Sequence, residues 1–174
     1  MTAVTQCNCS RHPDDDSRYD VRMSGKRPTI QQVMLDTAVA HSARSTCGLG
    51  RQHGAVIHRG GRVLSTGYNG PPAGWPHCGD NCRLVGKDAL GHDWRRCPAV
   101  HAEVNALVNA ARSGVNIKGA AIMVTRSPCM ECLLVLCNSG MESVTWPEDG
   151  EWLEMPLDDP HQAHAVWSEY AEGG

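Results

Sequence analysis

The sequence predicts an α/β domain, three-layered if its helices cover both faces of the sheet. Short β-rich runs alternate with segments of helical period, one pair of runs flanks a Gly-Gly turn, and two helices start directly after a loop or strand. The chain has 174 residues, 41% of them hydrophobic, which suits one domain with a proper core. Phe is absent and aromatics total 5%, so that core must be built from Val, Ile, Leu, Met and Ala.

Residues 1–26 read as a polar arm and residues 27–147 as the domain proper. KRPTIQQVMLDTAVAHSARS is a helix: Thr29 and Gln32 have capping-box spacing, and Ile30, Val33, Met34 and Ala38 form an apolar stripe. GAVIH (54–58) and RVLSTGY (62–68) flank Gly60-Gly61 and read as a hairpin. Residues 69–99 are irregular and rich in Gly, Pro, Cys and His; a loop this long in a compact domain is functional or held by something. Val100 to about Ser113 is a second helix, with Val100, Val104, Leu107, Val108 and Ala111 on one side. AAIMVT is a strand. Pro128 opens a third helix with Ser127 as its cap, ending near Gly140, and Cys137 in its apolar run reads as core. ESVTW is a fourth strand. Residues 148–174 read as an acidic extension broken by Pro, with a last helix from about Pro160.

Net charge is −3, and no basic stripe with interleaved aromatics is present, which argues against a polynucleotide partner. No apolar run reaches the roughly 18 residues of a membrane span. The N-terminus lacks the apolar stretch of a signal peptide, so a cytoplasmic protein is expected. Nine Cys in such a chain, an odd number, argue for metal or catalysis over disulfides.

His101-Ala102-Glu103 falls at the start of the second helix, and Cys129 and Cys132 at the start of the third. The two Cys share a helical face, and a helix N-terminus favours thiolate. With His101 they make three ligands, leaving the fourth tetrahedral position of a zinc for water, whose pKa the metal brings towards about 7. Glu103 need not ligate and is placed to move protons. A closed structural zinc, or Cys and His buried in a core, is the bland alternative. The pairing HAE with PCxxC is the signature of zinc-dependent nucleobase deaminases.

GYNGPPAG (67–74), Cys47, the segment HCGDNCRLVG…RRC, HAEVNALVNAAR and TRSPCMEC together closely resemble the deoxycytidylate (dCMP) deaminases, over about residues 27–147. The resemblance implies a three-layer cytidine deaminase-like fold, a five-stranded mixed sheet between helices. It implies conversion of dCMP to dUMP for thymidylate synthesis, with His101, Cys129 and Cys132 on the catalytic zinc and Glu103 as proton shuttle. It further implies that the Ala102 N–H binds the pyrimidine carbonyl, that the Ser127 carbonyl binds the amino group, and that Asn69 meets the sugar or phosphate region. Arg112 is placed near the active site and subunit contacts. Homo-oligomers, hexamers in many members, with dCTP and Mg2+ as activators and dTTP as inhibitor, are implied as well. The chain departs from the family pattern in His53, where Val is usual, in Leu133, where Ala is usual, and beyond Trp146, where the usual last strand and helix are not legible. Trp146 itself packs by the base or is a plain core or surface Trp. Deamination of 5-substituted dCMP or of free (deoxy)cytidine stays open beside dCMP.

Pro98 keeps Cys97 outside the second helix, so Cys97 does not share the metal of His101. Cys47, Cys78, Cys82 and Cys97 are gathered around the long loop and suit a second, structural zinc, with His77 or His92 as substitutes for one Cys. Some dCMP deaminases carry such a zinc. Cys7, Cys9 and His12 are weak evidence in a polar arm, and Asp14 to Asp16 read as a solvated charge run.

Overall fold

A computed structural model describes residues 27–47, 51–78, 97–159, 161–165 and 168. The polar arm, Cys82, His92 and Pro160 lie outside the described residues. The elements are α1 (Ile30–Ser42), β1 (Gly54–Arg59), β2 (Arg62–Tyr68), α2 (Ala102–Arg112), β3 (Ala121–Val124), α3 (Met130–Cys137), β4 (Ser143–Glu148) and β5 (Glu151–Pro156). Residues 161–165 are helical, as the sequence predicts. Among the described residues no helix is long and apolar enough to cross a membrane.

The five strands lie in the order β2-β1-β3-β4-β5. β1 is antiparallel to β2 and β3, β3 is parallel to β4, and β4 is antiparallel to β5, so the sheet is mixed. β5 corrects the reading of residues 148–174 as an extension, because that boundary cuts a hairpin. Asp149 (φ 50°) and Gly150 (φ 85°) both take left-handed backbone and join β4 to β5 by two residues. The signal was present in the sequence, since Asp-Gly is a preferred dipeptide for this turn.

Alternation along the strands sorts the core into two layers. Val56 and Met123 face Met34 and Ala38 of α1. Ala55, Ile57, Ile122 and Val124 face the other way, onto Ala102 and Ala106 of α2 and Leu133 and Leu136 of α3. In α1, Thr29 Oγ1 accepts the Gln32 N–H at 3.2 Å, but the Gln32 side chain donates to Asp36 and not back to the cap. Ile30 and Val33 of the expected stripe are exposed, leaving Met34 and Ala38 as its buried part. Two glycines let helix backbone rest on strand backbone: a side chain at Gly54 would run into the Ala38 carbonyl, and one at Gly67 into Ala102 O and Ala106 N. Gly67 therefore sets how closely the first turn of α2 lies on β2.

Candidate active site

The start of β1 and the ends of β2 and β3 lie at one edge of the sheet, because β1 is antiparallel to both neighbours. α2 and α3 begin at that edge. Gly70 and Val100 exchange backbone hydrogen bonds, Val100 N–H to Gly70 O at 2.8 Å and Gly70 N–H to Val100 O at 3.1 Å. This delivers His101 beside the turn that follows β2. Asn105 donates from Nδ2 to Tyr68 O at 2.8 Å and to Val100 O at 3.3 Å, and Asn109 donates to Thr66 O at 2.9 Å. The sequence reading missed these clamps. Their signal was two Asn four residues apart inside a helix, where Asn is otherwise unfavourable.

The helices start later than expected. α2 has His101 as its N-cap, and α3 has Cys129, not Ser127, both with extended backbone and neither making a side-chain capping hydrogen bond. His101 Nδ1 lies 3.3 Å from Cys129 Sγ and 3.3 Å from Cys132 Sγ. These three atoms form the one cluster suited to a metal among the described residues, and Glu103 is not part of it. Tetrahedral zinc with ordinary Zn–N and Zn–S lengths requires an N···S edge of about 3.6 Å, so the triangle is close to the required size.

His101 is exposed, Cys129 half-buried and Cys132 fully buried, so the cluster is closed on the core side and open above. The helix start was expected to lower the thiol pKa values. In the protein alone burial wins: it pushes both Cys129 and Cys132 up, and the Glu103 charge pushes Cys132 up further. Buried sulfurs beside a carboxylate are costly as anions unless a cation sits among them, which is the condition zinc meets. Glu103 itself is 8% exposed, in the first turn of α2.

The other expected residues divide. Ala102 is buried at the first position of α2, and its N–H has no intrahelical acceptor. Ser127 is half-buried two residues before Cys129. Asn69 is buried and holds backbone: Oδ1 accepts the His53 N–H at 2.8 Å and Nδ2 donates to Arg51 O at 2.8 Å. Arg112 is the last residue of α2, which is eleven residues long, about 15 Å along the helix from Ala102. Cys137 is corrected, being exposed and not core. Trp146 packs against the layer under α2 and α3 and donates its indole N–H to Glu148 at 3.1 Å. Cys47, Cys78 and Cys97 are half-buried, and Cys82, the fourth expected ligand, lies outside the described residues. The Cys47 and Cys78 segments do meet, through Thr46 Oγ1 and His77 Nδ1 at 3.4 Å.

A His-Cys-Cys donor set with a carboxylate outside it, two residues after the His, defines a zinc-dependent deaminase centre. Residues 28–147 match the family described as the cytidine and deoxycytidylate deaminase zinc-binding region. The chain belongs to that family. It is 40% identical over 129 residues to the deoxycytidylate deaminase of Mycobacterium phage D29, covering 71% of this chain and 98% of that one. It is 35% identical over 148 residues to the deoxycytidylate deaminase of Enterobacteria phage T4, covering 67% and 76%. Among solved structures, the dCMP deaminase of cyanophage S-TIM5 in complex with dCMP and dUMP superposes with a TM-score of 0.55 at 29% identity, covering 70% of this chain and 82% of that one.

Proposed function

We propose that this protein hydrolyses dCMP to dUMP and ammonia, supplying dUMP for thymidylate synthesis in the cytoplasm. The observation that carries this reading is the meeting of His101, Cys129 and Cys132 at one point, with Glu103 buried beside Cys132 and outside the donor set. The substrate named for the relatives, and the dCMP and dUMP bound in the cyanophage structure, support the choice of nucleotide.

His101, Cys129 and Cys132 hold the zinc, which when bound supplies the Lewis acidity that makes water a nucleophile near neutral pH. Glu103 would take one proton from the attacking water and pass it to the ring nitrogen next to C4, then take the second proton from the new C4 hydroxyl and pass it to the departing amine. The C4–O bond forms, the C4–N bond breaks, and ammonia leaves. The Ala102 N–H binds the pyrimidine carbonyl and the Ser127 carbonyl binds the amino group, which orients C4 over the donor set. Asn69 holds the 51–53 segment beside the sugar.

Cys47, Cys78, Cys82 and Cys97 hold a second, structural zinc; the Thr46–His77 contact supports this by bringing two of the four segments together. The position of Arg112 at the outer end of α2 suits contact with a neighbouring copy in a homo-oligomer, a hexamer by resemblance. Regulation by dCTP with Mg2+ and by dTTP belongs to the same proposal.

Ammonia release from cytidine, deoxycytidine, CMP, dCMP, dCTP and 5-substituted dCMP tests the substrate. dCMP should give the highest kcat/KM. Comparable values for deoxycytidine and dCMP would move the enzyme to the free-nucleoside class, and a preference for the 5-substituted nucleotide would replace dCMP as the substrate.

A further inference from the structure

A cavity of about 240 Å³ opens on the α1 face of the sheet, at the end of β1 opposite the metal donors. Strand register builds it. Val56 of β1 and Met123 of β3 face α1, so by alternation His58 and Ala121 face the same way. Ala121 stands opposite His58 on one side and Ser143 of β4 on the other, which sets those two backbones two strand spacings, about 10 Å, apart. Thr145, two residues on from Ser143, stands opposite Glu154 of β5. The intervening Ile57, Ile122, Val144 and Met155 all lie in the other layer, under α2 and α3. The small Ala121 side chain between two larger polar residues leaves the hollow, and the first turn of α1 closes one side of it.

The lining carries polar atoms that the fold leaves unmatched. Ser143 is 4% exposed, and its Oγ is buried without a hydrogen-bond partner among the described residues. His58 Nδ1, on the other side of Ala121, is buried and unmatched in the same way. Such groups are rare in folded proteins, because each has given up water for nothing in return. Glu142 and Glu154 line the same cavity with exposed carboxylates. Their charges both act on the His58 ring, against the larger effect of burial, which keeps it neutral. Arg59, the cation in the lining, is turned to other work: its Nη2 donates to Asn116 O at 3.0 Å and to Lys118 O at 2.7 Å.

We propose that this cavity binds a short aliphatic diamine, whose ammonium groups pair with Glu142 and Glu154 and donate to Ser143 Oγ and His58 Nδ1, while its methylenes lie over Ala121 and Met123. Two carboxylates with an occupied Arg59 select a cation over an anion. The spread of the acceptors selects a chain over a bare ion. Among the described residues only His101, Cys129 and Cys132 bring three donors within one metal's reach, so His58, Glu142 and Glu154 stand further apart than a single metal ion bridges. Polar atoms on both sides of an apolar Ala121–Met123 floor match a molecule charged at its two ends and apolar between them.

The test titrates 1,4-diaminobutane into the full-length holoenzyme by calorimetry, with butylamine, Mg2+ and dCTP as comparison probes. The proteins are wild type, Ser143→Ala, the double variant Glu142→Gln/Glu154→Gln, and Ala121→Leu. Wild type should bind one diamine per chain, and its Tm should rise with diamine concentration. Loss of a hydrogen bond to a charged group predicts about 10-fold weaker binding in Ser143→Ala, and loss of both carboxylates a similar fall in the double variant. Ala121→Leu fills the hollow and should abolish binding. Butylamine, with one charge, should bind about 10-fold more weakly than the diamine. The double variant changes exposed side chains only, so it should keep its fold and carries the test if a core variant does not. No diamine binding by wild type, equal affinity for butylamine, or affinity unchanged in the double variant would overturn the proposal. Binding of Mg2+ or dCTP in place of the diamine, weakened by the same substitutions, would overturn it as well.

Discussion

His53 and Asn69 hold each other through two hydrogen bonds, one to the Asn69 side chain at 2.8 Å and one between backbones at 3.1 Å. The second end of the Asn69 amide reaches Arg51 O at 2.8 Å, so one buried side chain fixes the three residues that lead into β1. Asn69→Ala leaves a backbone N–H and a carbonyl without their partner and should cost about 1–3 kcal/mol of stability, seen as a lower Tm. Activity should fall with it while zinc content is kept. A residue that only touches substrate would change KM and leave the Tm alone.

Glu103 is buried in the first turn of α2, outside the metal donor set. Glu103→Gln keeps the shape and removes the proton carrier. Its kcat should drop by about 10²–10⁴, the usual worth of general acid–base catalysis, with metal content and fold intact. Near-wild-type turnover would end the proton-shuttle role.

His101 and Cys132 should behave differently from Glu103. His101→Ala and Cys132→Ser each break a donor set whose N···S distances are both 3.3 Å. Each should remove the catalytic zinc, measured by elemental analysis, and abolish ammonia release. Prolonged chelation of wild type should do the same, with recovery on adding Zn2+. Recovery of the Cys132→Ser enzyme under those conditions would contradict the ligand assignment.

The second zinc has its own readout. Cys97→Ser should lower metal from two ions per chain to about one and reduce thermal stability, because structural zinc contributes directly to folding. The Gly70–Val100 pairing carries that disturbance to His101, so activity should fall by displacement of the catalytic helix. One zinc per wild-type chain, together with full activity of Cys97→Ser, would remove the second ion.

His58, at the opposite end of β1, makes stability depend on pH. It is half-buried with Nδ1 lacking a hydrogen-bond partner, and burial pushes its pKa below 6.5, against smaller opposing effects of Glu142 and Glu154. The unfolded chain therefore takes up the proton first as pH falls. Stability from this residue is complete above about pH 6.5 and is lost as pH drops through the lower, folded-state value. The Tm difference between pH 7.5 and pH 5 should be smaller in His58→Gln than in wild type. An equal difference in the two proteins would show that His58 does not contribute.

The α/β class, the hairpin at Gly60-Gly61 and the chemistry of the site were legible in the sequence. Each is carried by local pattern: strand and helix periods, a turn dipeptide, and ligand residues three apart at the start of a helix. β5 was legible too, in Asp149-Gly150, but the acidic composition around that turn masked a strand whose partner is the preceding one.

What the sequence by itself determined is which atoms are available: a His, two Cys and a Glu at two helix starts, in a chain with an acidic net charge. Which of them meet was decided by tertiary structure. A five-stranded order that sets β1 between β2 and β3 brings Gly70, His53 and Thr125 to one edge, and glycines at 54 and 67 let the helices come close enough to hold it. The same packing sets Arg112 about 15 Å along α2 from Ala102, because a helix moves a residue about 1.5 Å per position whatever its sequence neighbours do. It also turned Asn69 to backbone duty. Those relationships join residues far apart in the chain through sheet register, and register is set by burying one face of each strand, a property of the whole domain and not of any local stretch.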